Sequence, residues 1–151
     1  MVKEKNAKEG PFVRLLFLLY VGLMMWLLFV QRMDAGGTAI DDNWNFVPFK
    51  TLKLYWKLIF SGNRYYVIHS VVNLVGNVVM FIPLGIFLPL IWPKLRAFLL
   101  LLLFSLFLII MIEVLQYFTG LGSCDIDDLL LNLPGVVIGF LISKSKSISR
   151  P

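Results

Sequence analysis

Chemistry in this sequence is confined to a small set of polar side chains: Asn73, Asn77, Glu113, Gln116, Asp125, Asp128 and Asn132. Carboxylates beside amides can bind a polar head group, exchange a proton or hold a hard cation. Glu113 is the most informative, because it is the only ionisable residue in "AFLLLLLFSLFLIIMIEVLQYF", residues 97–118. A charged side chain at the centre of a membrane helix costs about 2.5 kcal/mol or more, so an acid retained there is a functional candidate by default. Glu113 and Asp128 are the candidates for acid or base work. Structural readings compete. Asn and Gln also bond membrane helices together, at about 0.6–2 kcal/mol each. Asp125 is placed to be a helix N-cap, and Asp127 and Asp128 suit the positive end of a helix dipole.

Spacing groups these residues. His69, Asn73 and Asn77 recur every four positions, Glu113 and Gln116 lie three apart, and Asn132 follows Asp128 by four, so each set shares one helix face. Gly135 and Gly139 extend the last stripe and read most simply as a close-packing face. Pro83 and Pro134 leave the carbonyls of Val79 and Leu130 without their helical donors, and free carbonyls at membrane depth need a partner. No spacing indicates a calcium loop, and zinc would have only His69 and Cys124 to draw on, so neither metal nor cofactor is expected. A nucleophile elbow and a phosphate-binding glycine loop are both missing.

The elements that must position these residues are apolar helices. The chain has 151 residues, 59% hydrophobic and 15% charged, with a single cysteine, Cys124, that rules out an internal disulfide. Four apolar runs, at about 12–30, 66–92, 97–118 and 127–142, predict an all-α bundle of four transmembrane helices. The first run is too long for a signal peptide and ends in Val-Gln-Arg-Met, without a small-x-small cleavage site. Leu121-Gly122-Ser123-Cys124 is only a faint lipobox and lies far from the N-terminus.

The net charge of +5 reflects cations at the ends of apolar runs, so it speaks for a bilayer and not for nucleic acid. Lys3, Lys5, Lys8 and Arg14, then Lys94 and Arg96, then Lys144, Lys146 and Arg150 fall on one side in short segments. Arg32, Lys50, Lys53, Lys57 and Arg64 are spread along the longer loop opposite. The positive-inside rule then puts both termini in the cytoplasm, with tails at 1–11 and 143–151 flanking a membrane domain at 12–142. The external loop contains "KTLKLYWKLIF", where Lys50, Lys53 and Lys57 share one face and Phe49, Leu52, Trp56 and Phe60 a neighbouring one. That segment is an expected interfacial helix or amphipathic connector. In this topology the polar faces of the later three helices all fall in the outer half of the membrane, which suggests one shared external site.

Three motifs carry a family resemblance. "NFVPFKTL" presents Asn45, Pro48 and Phe49; "NLVGNVVMFIPLGIFLP" presents Asn73, Asn77, Phe81, Pro83, Leu84 and Gly85; "EVLQYFTGLGSCDIDDLLLNLPGVVIGF" presents Glu113, Gln116, Asp125, Asp128, Asn132, Gly135 and Gly139. Together, in that order, they resemble the VanZ-like family. Where that family often has an arginine, this chain has Gly120-Leu121-Gly122. The resemblance implies a small helical protein of the bacterial cell membrane, whose founding member is associated with low-level teicoplanin resistance. The expected partners are the bilayer and an envelope lipid or cell-wall component. An enzyme acting on a lipid-linked substrate and a non-catalytic partner-binding subunit are the alternatives.

Overall fold

The structure is a computed structural model that describes residues 2–30, 44–122 and 124–148, with side chains described between residues 10 and 145. Arg32, Asn43, Ser123 and Arg150, and the side chains of Lys3, Lys5, Lys8 and Lys146, lie outside the described residues. Helix α1 covers Val2–Met25 and continues into a wide π turn, Trp26–Val30. After it come the short strand β1 (Trp44–Asn45), α2 (Lys50–Ile59), α3 (Arg64–Ile91), a 3-10 turn (Pro93–Arg96), α4 (Phe98–Phe118), strand β2 (Cys124–Asp125) and α5 (Ile126–Ile148).

Among the described residues, four segments are long and apolar enough to cross a membrane: Gly10–Val30, Arg64–Ile91, Phe98–Phe118 and Ile126–Ser145. The architecture is therefore all-α, as the hydropathy pattern predicts. Helix ends differ from the ends of the apolar runs. α1 begins at Val2 and α5 continues to Ile148, because the flanking Lys, Glu, Ala and Ser residues can hold helical backbone outside the apolar stretch. Leu99, Leu103 and Phe107 point outward from α4, as expected where the surrounding solvent is hydrocarbon.

The tightest packing is between α3 and α5. An added Cβ at Gly85, Gly135 or Gly139 would lie 2.0, 2.1 or 2.0 Å from the carbonyl oxygens of Val136, Val78 and Ile82, respectively. Backbone meets backbone here, and Phe81 and Val136 fill the core beside the crossing. α1 joins this pair through Tyr20, whose hydroxyl donates to the Met80 carbonyl at 2.8 Å, beside the point where Pro83 interrupts the α3 hydrogen-bond ladder. The Phe17–Trp92 and Phe98–Phe140 ring contacts gather α1, α3, α4 and α5 at the end of the bundle that carries Arg14, Lys94, Arg96 and Lys144.

Candidate functional site

At the opposite end, the first turn of α5 is a hub. Its aspartates face different neighbours. Asp125 caps its own helix, accepting the Asp127 N–H at 2.9 Å. The same carboxylate accepts the Asn45 amide at 2.9 Å and the Thr51 hydroxyl at 2.5 Å. Asn45 also donates to Thr51 Oγ1 at 3.1 Å, closing a triangle of side chains. Strands β1 and β2 pair in parallel at this point, Trp44 with Cys124 and Asn45 with Asp125.

Asp127, fully buried at 0% exposure, caps another helix. Its Oδ1 accepts the Phe49 N–H at 2.6 Å, and its Oδ2 accepts those of Thr51 and Leu52 at 2.7 and 3.1 Å. These N–H groups belong to the start of α2, which has no side-chain cap of its own. Phe49 takes a left-handed backbone, φ 65°, to turn its N–H toward Asp127. For a bulky residue that conformation costs about 1–2 kcal/mol, which the charge-assisted bond offsets. Asp128 faces α3 and accepts the Asn77 amide at 2.9 Å.

Glu113 on α4 is buried, at 5% exposure, and its Oε2 accepts the Asp125 N–H at 3.4 Å. It forms part of the wall of a cleft of about 340 Å³ otherwise lined by Phe46, Leu106, Ile110, Cys124, Asp125, Ile126 and Leu129. Asn132 is 3% exposed, and its Oδ1 has no hydrogen-bond partner among the described residues. At 100° per residue it falls between Asp128 and Leu129 around α5, one turn deeper than either.

The polar residues expected to form one site are thus divided. Asn77 meets Asp128, and Glu113 meets Asp125, both at the hub. Gln116 instead donates to the Leu28 carbonyl at 3.0 Å, in the π turn that follows α1. Asn73 turns back to the His69 carbonyl at 2.8 Å and, together with Asn77, lines a groove of about 510 Å³ between α1 and α3. Asn45, Thr51 and Tyr20 are additional partners that helical spacing does not indicate. Asn45 and Thr51 do stand within the first family-like motif, although only Asn45 is one of its matching positions, whereas Tyr20 carries no such signal. Among the described residues, no group of three or more His, Cys, Asp or Glu side chains could hold a metal ion.

Cys124 reports on the electrostatics of the cleft. Partial burial pushes its thiol above the ordinary value, and the negative charges of Glu113 and Asp125 push it further. The thiolate is therefore scarce at neutral pH. Maleimide labelling at pH 7.5 should be slower than that of a free cysteine, and Glu113→Gln should accelerate it severalfold by removing one repelling charge. An unchanged labelling rate in Glu113→Gln would show that the carboxylate does not act on the thiol.

A family model described as VanZ/LLP1 matches residues 17–147. No curated protein and no solved structure matches the chain.

Proposed function

The chain belongs to the VanZ/LLP1 family, and on that premise we propose that this multi-pass membrane protein binds an envelope lipid or a cell-wall component beside Glu113. The observation that carries this reading is a buried carboxyl, Glu113, in the wall of a largely apolar cleft of about 340 Å³ whose rim also holds Cys124 and Asp125. The volume falls within the range of small-molecule pockets, which pair an apolar lining with a few placed polar groups. The apolar lining suits a hydrocarbon chain. The polar group in the wall defines the head: a carboxylate at Glu113 accepts, so the head group presents hydroxyl or N–H donors.

With both termini in the cytoplasm, as the distribution of Lys and Arg favours, the hub faces the outside of the cell membrane. Cell-wall precursors are exposed on that side, and sequestering one would alter susceptibility to glycopeptides such as teicoplanin. Asp125, Asp127 and Gln116 bond to the chain's own backbone and side chains, which favours a structural role for those three. Ligand binding in this reading falls first to Glu113 in the cleft wall, with Asn132 and the Asn77–Asp128 pair lying outside that lining.

The test is Glu113→Gln, which preserves size and removes charge. Expressed at normal membrane levels in a deletion strain, it is expected to lose most of the rescue given by the natural chain. Full rescue of every deletion phenotype would remove the carboxyl from the mechanism.

A further inference from the structure

We propose that α2 is a binding site for the head groups of anionic phospholipids, distinct from the cleft beside Glu113. The position of α2 follows from contacts at both ends. Its first turn is held by Asp127, and Asn77 of α3 is level with the adjacent Asp128. Further along, Tyr55 meets His69 with ring centroids 6.3 Å apart. α2 therefore runs antiparallel along the first turns of α3, rising away from the hub.

Depth then places α2 at the membrane boundary. Along α5, Lys144 at the basic end lies about 24 Å from Asp128 at the helical rise per residue. A hydrocarbon core is about 30 Å thick, which leaves the hub about 6 Å below the far surface. α2 is about 15 Å long and climbs from that level through the head-group layer.

Its side chains match that layer. Lys50, Lys53 and Lys57 are exposed on one face, and none of their ammonium groups has an ion-pair or hydrogen-bond partner among the described residues. The helix, "KTLKLYWKLI", contains no acid to neutralise them. Trp56 and Phe60 are 64% and 71% exposed, a large apolar area that gains from contact with the acyl boundary. Unpaired ammonium groups stepping through a phosphate layer, beside aromatic anchors, are complementary to anionic head groups. Asp127 makes the site preorganised. A ten-residue helix is marginal in isolation, whereas this one is fixed by the protein before any lipid arrives.

The test uses the full chain reconstituted in vesicles of equal phosphatidylcholine and phosphatidylglycerol, followed by quantification of the lipids retained on gentle detergent extraction. Retained phosphatidylglycerol should be enriched about fivefold over phosphatidylcholine, the factor that one ammonium near an anionic surface supplies. The K50Q/K53Q/K57Q variant should retain both lipids equally, as should the natural chain extracted in 1 M salt, whereas K50R/K53R/K57R should keep the preference. The substituted side chains face outward, and an unchanged melting temperature verifies the fold. No enrichment by the natural chain, or undiminished enrichment in the glutamine variant, overturns the proposal.

Discussion

Gly139→Leu is expected to separate α3 from α5 and to lose the folded bundle. The Cβ alone would sit 2.0 Å from the Ile82 carbonyl oxygen and 3.0 Å from the Gly85 Cα. Both are backbone atoms within helices, so neither can rotate aside as a side chain would. Overpacking a well-fitted core typically costs about 1–3 kcal/mol, and a clash against rigid backbone falls at or beyond the upper limit. The crossing cannot slide to relieve it, because Gly135 against Val78 and Gly85 against Val136 are equally close. Gly22→Ala is the matched control, since a Cβ there meets nothing within 4 Å. Thermal unfolding in detergent should show a large drop for Gly139→Leu and no drop for Gly22→Ala. If the two variants melt together, the close crossing is not what holds these helices.

The second large effect is expected at Asp127. Asp127→Ala leaves three N–H groups at the start of α2 without their acceptor and a cavity in the hub. Hydrogen bonds to charged groups are worth about 1.5–3 kcal/mol each, but α2 can unwind and reach water, which limits the total loss to about 3 kcal/mol. The loss should be local. α2 frays, and trypsin cuts at Lys50, Lys53 and Lys57 much faster than in the natural chain, while the transmembrane helices stay protected. Asp127→Asn keeps one acceptor oxygen and should fall between the two. Cleavage at the natural rate in Asp127→Ala would mean that the N-terminus of α2 is held by something else.

How far the site could be read from sequence depends on whether each interaction follows a helix or leaves it. Gly135 and Gly139 are legible as a packing face because a helix repeats its direction every three to four residues, and the structure puts that face against α3. The burial of Glu113 is legible for the same reason: an acid within an apolar run has few directions to face. The Asn73–Asn77 stripe is only half informative. Asn77 reaches Asp128 while Asn73 bonds the His69 carbonyl one turn back, and the choice depends on how far α5 rises beside α3. The roles of Asn45, Thr51 and Asp127 are set by where a loop crosses the hub, and no periodicity encodes that. Asp127 reads as a contributor to its own helix dipole, yet its oxygens serve α2, because Asp125 already fills the cap position of α5.

The cap that α5 supplies to α2 also imposes an order on synthesis. Thr51 and Asp127 lie 76 positions apart, so the loop that becomes α2 leaves the ribosome long before its acceptor does. Until the last span is inserted, that loop lacks both its cap and its strand partner at Cys124–Asp125. α2 therefore matures last, when the final helix arrives in the bilayer. A chain arrested before that moment carries the lysine-bearing α2 segment without the Asp127 oxygens that accept its first N–H groups, a part of the fold that an incomplete chain cannot build.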